Sequence, residues 1–338
     1  MQDDSLSSVT GKEDKIARIF QMDRRNRGWL WWFWLFFFEN PDEPGKPRQV
    51  GILWSTKKDG KLKCNGKLMG SDNPYRPDGS IEGGVAAWYF DGSEMHDQTI
   101  LGKVTLDLTD NGITTTSPET SFRGVDGGFE VVVNEDMVFT ATLLGGSNEF
   151  ISPWEKVHSI LGLGYEMTGI NKMKLEGLVD GMSTRGTCYF QKVYLSTAAP
   201  PWYWGIFHFE KGATLTYFNP HILGRSVKKD ISFHDGQKLN KFRGINVDKS
   251  MNGDLPIFNV SSEDERARIE FLVEPYARTV WRFRKRKMGL LPVSFDYGQF
   301  PARISRFRFE EKSTGRVITE EDIGIGIGNA EDSRGLLW

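Results

Sequence analysis

The residues of this sequence that could do acid–base chemistry are a few carboxyl groups set among aromatic side chains. Tyr165 and Glu166 stand in the segment GLGYEMTG, directly after a glycine-rich start. A carboxyl group against aromatic walls is desolvated, which raises its pKa and suits it to donate a proton. Glu166 is therefore a candidate general acid with Tyr165 beside it. The alternative is an ordinary strand that a glycine turn precedes.

Two further acidic residues lie near the end of the chain. Asp296 and Tyr297 are neighbours in PVSFDYGQF, where the sequence Asp-Tyr-Gly is typical of a turn. In DIGIGIGNAED, glycine at every second position leaves one strand face bare, so that an aromatic side chain or a ligand can approach the backbone. Glu331 follows these glycines and is a weaker candidate for chemistry.

A strand rich in aromatic residues, PPWYWGIFHFEKG, places Trp202, Trp204 and His208 on one face. A histidine alone among aromatic side chains is more often a packing residue than a catalyst. The other histidines, His158 among them, have no neighbour at the spacing of metal ligands. Because the sequence has no P-loop, CxxC or HExxH motif, we predict neither a metal ion nor a cofactor.

The composition narrows the classes of partner. The 338 residues include 43 Lys and Arg and 45 Asp and Glu, which gives a net charge of −2. Nucleic-acid-binding domains usually carry a basic excess, so we expect no nucleic acid. Two cysteines cannot form a disulfide framework, and a reducing, cytoplasmic setting fits them best. The basic run WRFRKRK is either a solvated strand face or a contact with anionic lipid headgroups.

Ten consecutive apolar residues, WLWWFWLFFF at positions 29–38, include eight aromatic side chains. A membrane-spanning helix needs about 20 apolar residues, and no small-residue cleavage site of a secretion signal follows the run. Tryptophan and phenylalanine favour strands over helices. The run is therefore predicted to be a buried strand in a barrel wall, and peripheral contact with a membrane is the alternative.

The rest of the chain alternates short strand-like runs with Asn-Gly and Asp-Gly dipeptides, which suit tight hairpin turns because these residues tolerate positive φ. Many short strands separated by turns predict an all-β fold. Capping signals predict two short helices, at residues 11–22 and 152–162. The segment STAAPPWYW divides the chain into a polar lead-in (1–27), a first antiparallel barrel (28–199) and a second antiparallel barrel (200–338).

Three stretches together resemble a known family: GLGYEMTG with the LEGLVDGMSTRG that follows it, WYWGIFHF, and the glycine-rich C-terminus. The family is the carotenoid 1,2-hydratase (hydroxyneurosporene synthase) and AttH-like group of lipocalin-like, or calycin, proteins. The resemblance implies two lipocalin-like barrels with a hydrophobic pocket in or between them, and reactions that hydrate or cyclise unsaturated isoprenoids. It also implies that Glu166 protonates the alkene, and that Trp204 and His208 belong to the aromatic wall.

More than one function is compatible with these features. The first is an enzyme, a hydro-lyase or an isomerase or cyclase, that protonates an unsaturated isoprenoid or polyene in an aromatic-lined pocket, because aromatic faces stabilise carbocations. The second is a non-catalytic carrier of a lipid or isoprenoid, and sugar binding is a weaker third. The candidate catalytic residues are Glu166, Tyr165 and Asp296. The candidate substrate-binding residues are Trp154, His158, Trp202, Trp204, His208 and Tyr297.

Overall fold

The computed structural model describes residues 18–22, 28–144, 151–158, 164–196, 200–222, 225–226, 230–287 and 291–335. Regular structure in these residues is almost entirely strand, and the ladders between the strands are antiparallel, which confirms the predicted all-β fold. Of the predicted helix at 11–22, residues 18–20 are helical and residues 11–17 lie outside the described part. None of the described helices has the length and apolar character needed to cross a membrane.

The protein consists of two compact units, and neither is one continuous stretch of chain. The first unit comprises Met1–Phe36, Gly51–Ala87 and Gln98–Ala198. The second comprises Phe37–Val50, Trp88–Asp97 and Ala199–Trp338. The second unit thus takes two segments from the first half of the chain, whereas the prediction divided the chain into consecutive stretches at residues 199 and 200.

The strands that lie wholly or mostly in the first unit are numbered in chain order. They are β1 (Trp29–Phe38), β2 (Gln49–Lys57), β3 (Lys63–Cys64), β4 (Lys67–Leu68), β5 (Ile81–Phe90), β6 (Met95–Thr109), β7 (Gly112–Thr116), β8 (Glu119–Val125), β9 (Gly128–Asn134), β10 (Met137–Leu143), β11 (Ile151–His158), β12 (Gly164–Val179) and β13 (Met182–Leu195).

Ten of these strands close into an antiparallel barrel. The hydrogen-bonded order is β10-β9-β8-β7-β6-β5-β2-β1-β13-β12, and β12 pairs back with β10 to complete the ring. The long strand β12 closes the ring by changing its partner along its length. Its residues 173–179 pair with β10, whereas residues 164–170 pair with β11. Closure of this kind removes the unpaired sheet edges that promote aggregation.

Strand β1 supplies the centre of the first barrel, and it confirms the predicted buried strand at residues 29–38. Nine of its ten residues are buried. The Trp34 ring lies against Phe122, Phe129 and Phe190, with ring centroids 5.1, 5.6 and 4.9 Å away, and it stacks on Phe36 at 5.6 Å. Around Trp34 the barrel interior is therefore a close-packed core of rings, not the open hollow that an aromatic-lined barrel suggests.

The strands of the second unit follow, with one four-residue helix. They are β14 (Trp202–Phe209), β15 (Thr214–Ile222), β16 (Arg225–Ser226), β17 (Asp230–His234), β18 (Leu239–Arg243), β19 (Asn246–Asn252), β20 (Leu255–Glu263), β21 (Ala267–Pro275), β22 (Thr279–Lys287), β23 (Leu291–Glu311), β24 (Arg316–Thr319), the helix Glu320–Ile323 and β25 (Gly326–Gly335).

The main sheet of the second unit curls round its own core. Its hydrogen-bonded order is β18-β17-β15-β14-β25-β23-β21-β20-β19. The end strands β18 and β19 are consecutive in the chain, with only residues 244–245 between them, so the two ends of the sheet must come close together. Buried side chains from both end regions share one core, among them Phe242 of β18, Phe258 of β20 and Phe309 of β23.

The predicted bare strand face near the C-terminus is confirmed, and aromatic side chains occupy it. A Cβ atom at Gly328 would lie 1.9 Å from the carbonyl oxygen of Ile206 and 2.6 Å from the Phe207 ring. A Cβ atom at Gly326 would lie 2.5 Å from the Phe209 ring. Glycine therefore lets these rings pack directly on β25, which fixes the position of the strand.

The predicted helix at residues 152–162 is wrong. Residues 151–158 form β11 and pair with residues 164–170 of β12, and residues 159–163 lie outside the described part of the chain. The signals for the helix were local ones, a serine cap and a proline at the first turn. A cap contributes about 1 kcal/mol, whereas pairing with β12 provides backbone hydrogen bonds along the segment. Tertiary pairing therefore overrides the local preference.

The predicted Asp-Tyr-Gly turn is also wrong, because Asp296 and Tyr297 lie inside the 21-residue strand β23. Tyr297 stands opposite Trp281 of β22 on one side and Ser333 of β25 on the other. A strand that is paired along both edges cannot turn there. Asp180-Gly181 is one of the Asp-Gly dipeptides for which hairpin turns are predicted, and it forms one, since both residues have positive φ between β12 and β13.

Replacing Trp34 with alanine tests the packed core of the first barrel. Loss of the indole leaves a cavity among rigid rings, and changes of this kind cost about 3–5 kcal/mol. We expect Trp34→Ala to lower the free energy of unfolding by this amount in urea denaturation. Val125→Ala is the control because that side chain is 41% exposed, and it should change the free energy by less than about 0.5 kcal/mol. Equal effects of the two substitutions would contradict the packed core.

Candidate functional site

One face of the second sheet gathers most of the side chains that could do chemistry. On β25, Ala330 belongs to the core of the unit. Because strand residues alternate, Glu331 points to the opposite face of the sheet. Directly across from it stand Trp204 of β14 and Gln299 of β23. We call this side of the sheet the Glu331 face.

The Glu331 carboxyl group is enclosed and hydrogen-bonded at both oxygens. The residue is 2% exposed. The indole Nε1 of Trp202 donates to Oε2 at 2.8 Å, and the Tyr297 hydroxyl donates to Oε1. The backbone amide of Trp202 also donates to the Ser333 hydroxyl at 2.7 Å, which ties β14 to β25 at this level. Donors from β14 and β23 therefore hold the carboxyl group from both sides.

Burial raises the pKa of Glu331 to about 7, even though the hydrogen bonds from Tyr297 and Trp202 lower it. Desolvation destabilises the charged carboxylate by more than these two donors stabilise it. Near neutral pH both the protonated and the charged form of the group are therefore populated. A carboxyl group that can give and take a proton at this pH is suited to general acid–base catalysis.

Aromatic rings form the surroundings of this carboxyl group. The centroid of the Trp202 ring lies 5.3 Å from Phe295 and 5.7 Å from Tyr297, and Trp281 lies 5.9 Å from Tyr297. Trp204 is buried and stands opposite the acid on β14. These rings exclude water from the acid, and their electron-rich faces attract a positive charge.

Two segments from the first half of the chain bring polar groups to the second unit. The Trp88 indole of β5 donates to Oε1 of Gln299 at 2.7 Å. Nε2 of Gln49, at the start of β2, donates to the Gly328 carbonyl oxygen at 2.9 Å and to the Tyr276 hydroxyl at 2.7 Å. Both glutamines are completely buried. The Glu331 face therefore depends on distant parts of the sequence.

The neighbouring acid on β25 has different surroundings. Asp332 points to the other face of the strand, and its carboxylate forms ion pairs with Lys249 and, at 2.9 Å, with Arg334. In contrast, the described hydrogen bonds of Glu331 come from the neutral indole and hydroxyl donors. Cations therefore balance the charge of Asp332, whereas the described partners of Glu331 are neutral hydrogen-bond donors.

The acid predicted from the sequence, Glu166, lies with Tyr165 on β12 of the first unit. Glu166 is 4% exposed and stands opposite Lys156 of β11 and Tyr194 of β13. Tyr165 is half-buried. Both residues belong to a different unit from Glu331, and their catalytic role stays a prediction.

Four of the predicted substrate-binding residues share the Glu331 face: Trp202, Trp204, His208 and Tyr297. His208 is almost completely buried and meets the Phe37 ring edge-on at 5.1 Å between centroids. It stands opposite Ile327, four residues before Glu331 on β25, which corresponds to about 13 Å along the strand. The structure thus brings three of the four to the carboxyl group and leaves His208 farther along the same face.

The remaining predicted site residues are not at the Glu331 carboxyl group. Asp296 precedes Tyr297 and so points to the opposite side of β23, where it forms an ion pair with Arg284 at 2.5 Å and is 41% exposed. The backbones of Trp154 and His158 belong to β11, but their side chains lie outside the described part of the chain. The structure therefore separates Asp296 from its neighbour Tyr297.

The sequence analysis treats Glu331 as a weaker candidate, although the pattern around it contains a signal of burial. In GIGNAEDS, the polar residues Asn329, Glu331 and Ser333 alternate with Gly328, Ala330 and Asp332. Alternation puts the three polar side chains on one strand face. The small residues on the other face indicate close packing there, so the strand is central and its polar face is buried. Such a polar face inside a sheet is unusual, and it is a signal of a functional site.

Comparisons with known proteins inform the fold. A scan of protein-family models finds no match for the sequence, and no curated protein matches it. Among solved structures, the protein is similar to one from Nitrosomonas europaea described as an AttH candidate, with a TM-score of 0.53 and 13% sequence identity. The match covers 92% of this chain and 93% of that chain. The similarity supports the predicted AttH-like barrel fold, and at this level of identity it shows the fold alone.

The raised pKa of Glu331 predicts how stability depends on pH. The ordinary pKa of this group is 4.5, and in the folded protein it is about 7, so the folded state binds the proton more tightly than the unfolded chain. The resulting stabilisation is complete below the unfolded pKa and is lost as the pH rises through the folded one. Within this window the free energy of unfolding falls by about 1 kcal/mol per pH unit.

Urea denaturation across this pH window checks the prediction with Glu331→Gln, which cannot titrate. The wild type should lose stability relative to this variant as the pH rises from about 5 to about 7. Glu310→Gln removes a carboxyl group that is 41% exposed on β23, and it should follow the wild type. Parallel pH dependence of the wild type and Glu331→Gln would show that the pKa of Glu331 is not raised.

Proposed function

We propose that the protein is an acid catalyst that protonates a carbon–carbon double bond of a hydrophobic, unsaturated isoprenoid or polyene, with Glu331 as the proton donor. The observation that carries this proposal is the buried Glu331 carboxyl group, whose pKa is about 7 and whose two donors are Trp202 and Tyr297. An acid of this strength is protonated often enough at neutral pH to act.

The reaction follows from the geometry of the carboxyl group. The π electrons of the alkene take the Glu331 proton, so that a C–H bond forms at one carbon and a carbocation at the other. Trp202 and Tyr297 already donate to both carboxyl oxygens, so they stabilise the carboxylate that the transfer leaves behind. Water then adds to the cation, or the cation loses a neighbouring proton, and in either case the carboxylate recovers a proton. Hydration and isomerisation thus share one first step.

The aromatic side chains of the Glu331 face support a cationic intermediate. The face carries the indole rings of Trp202, Trp204 and Trp281. Indole attracts a cation more strongly than the other aromatic side chains do. Each suitably placed ring face contributes about 0.5–2 kcal/mol. Because the rings also keep water away, the cation can persist long enough to rearrange or cyclise.

Glu331→Gln tests the proposal because glutamine keeps the shape of the side chain and removes its acidic proton. Proton transfer should fall by about 10²–10⁴-fold. The measurement is deuterium incorporation from D₂O into a linear isoprenoid such as farnesol, followed by mass spectrometry. Glu166→Gln is the matched control and should retain the wild-type rate. The reverse result would assign the acid to Glu166, as the family resemblance implies.

A carrier that has no catalytic function predicts a different outcome. Neither the wild type nor the variants would promote deuterium exchange. Native mass spectrometry of the purified protein would then detect a bound lipid or isoprenoid that stays unchanged on incubation in water. Such a result would replace the enzyme with the carrier.

The pH dependence of exchange gives a second prediction. The general acid must be protonated, so the rate should fall as the pH rises above about 7. The hydrogen bond from Tyr297 lowers the pKa of Glu331, and Tyr297→Phe should therefore move this fall to higher pH. Tyr203→Phe, which alters a half-buried tyrosine on the other face of β14, should leave it in place. An unchanged profile for Tyr297→Phe would argue against Glu331 as the titrating group.

A further inference from the structure

Buried polar atoms without a hydrogen-bond partner cluster beside Glu331. Their side chains are 2% exposed or less, and no described residue satisfies them. The atoms are Nε2 of Gln299, Nδ2 and Oδ1 of Asn329, Oγ1 of Thr279, Nε1 of Trp281 and Oε1 of Gln49. Because an unpaired buried polar atom destabilises the folded state, a group of this size indicates a partner that is not part of the chain.

The strand register shows that these atoms form one patch. Gln299 stands directly opposite Glu331 on β25 and opposite Thr279 on β22. Residues that face each other across a ladder have Cβ atoms about 4.5–5.5 Å apart. Asn329 precedes Glu331 by two residues and therefore shares its face. Thr279, Gln299, Glu331 and Asn329 are thus neighbours on one buried surface.

Each of the two glutamine amides has one polar atom in a hydrogen bond. These bonds show which polar atom of each amide is left without a partner. Oε1 of Gln299 accepts from Trp88, so its Nε2 donor is the atom left without a partner. Nε2 of Gln49 donates to Gly328 and Tyr276, so its Oε1 acceptor is left. These bonds assign the amide orientations. The patch therefore presents donors and acceptors together.

The chemistry of the missing partner follows from this mixture. A carboxylate or a ketone only accepts hydrogen bonds, so it would leave the acceptor of Asn329 unpaired. An alkyl group would satisfy none of the atoms. A hydroxyl group donates one hydrogen bond and accepts two, so it can donate to Oδ1 of Asn329 and accept from Nε2 of Gln299 and from the Thr279 hydroxyl.

We propose that Thr279, Gln299 and Asn329 form a binding subsite for a hydroxyl group beside Glu331, and that the ligand is an unsaturated isoprenoid alcohol. This inference rests on the proposed function, because it names the substrate class of the same site. The subsite fixes the polar end of the ligand, which leaves the hydrocarbon chain to the surrounding rings. The O–H group that fills the subsite comes from this alcohol, and an ordered water is the competing source.

Three probes with one carbon skeleton separate these sources on the full chain. Farnesol has a hydroxyl group, farnesyl methyl ether can only accept, and farnesene has no oxygen. Binding is measured by quenching of tryptophan fluorescence. We expect farnesol to bind about tenfold more tightly than either of the other two, since hydrogen bonds to the subsite distinguish them.

Variants connect this preference to the subsite. Asn329→Leu should abolish the tenfold preference for farnesol. Without a ligand, it should also raise the midpoint of thermal unfolding by about 2–4 °C, because two unpaired polar atoms are removed. Asn259→Leu makes the same change at an exposed position on β20 and should do neither. Glu331→Gln should keep the preference, so a failure of the acid chemistry is distinguishable from a failure of the subsite.

Defined results would overturn the proposal. One is equal affinity of the three probes for the wild type, or no binding of any of them. Another is an Asn329→Leu variant that melts at a lower temperature and keeps the preference, which is the behaviour expected when only ordered water fills the patch. The comparison of probes on the wild type decides the question even where Asn329→Leu does not fold.

Discussion

Strand β25 is hydrogen-bonded along both edges and buried on both faces, and this constraint shapes the whole site. On one face, Phe207 and Phe209 pack so closely that Gly326 and Gly328 have no room for a Cβ atom. The backbone is therefore fixed, and Glu331 has no freedom to swing toward water. Its carboxyl group must find donors inside the protein. The tryptophan and tyrosine that meet it are the consequence, and the chemical character of the Glu331 face follows from them.

Glu331 and Asp332 are both buried acids, but they have different partners. The partners explain why Glu331 suits catalysis and Asp332 suits a structural role. Asp332 has Lys249 and Arg334 as ion-pair partners, and these ion pairs hold neighbouring parts of the sheet together. The donors at Glu331 are neutral, and burial raises its pKa to about 7. Two adjacent residues of one strand thus have different electrostatic surroundings because alternation sends them to different faces. Position in the sheet, and not residue type, determines their roles.

The sequence predicts those features that depend on local patterns. The apolar run at residues 29–38 is long and rich in residues that favour strands, and it forms β1 as expected. Local signals give a wrong prediction where strand pairing is stronger than they are. The capping residues at 152–162 predict a helix, but residues 151–158 pair with β12. Asp-Tyr-Gly predicts a turn, but it lies inside β23. The hydrogen bonds that distinguish Glu331 come from Trp202 and Tyr297, which are 129 and 34 residues away in the sequence. No local pattern in the sequence records such contacts, so the sequence alone favours Glu166.

The discontinuous make-up of the second unit has a consequence for biosynthesis. Gln299 receives its bond from a residue 211 positions earlier, and the Gly328 carbonyl oxygen receives one from a residue 279 positions earlier. Contacts so distant in sequence form slowly, because a long loop must close first. On the ribosome, segments 37–50 and 88–97 emerge long before their partners and must wait for the last strand. A truncated gene that starts at residue 200 would encode a sheet whose buried amides lack these early segments.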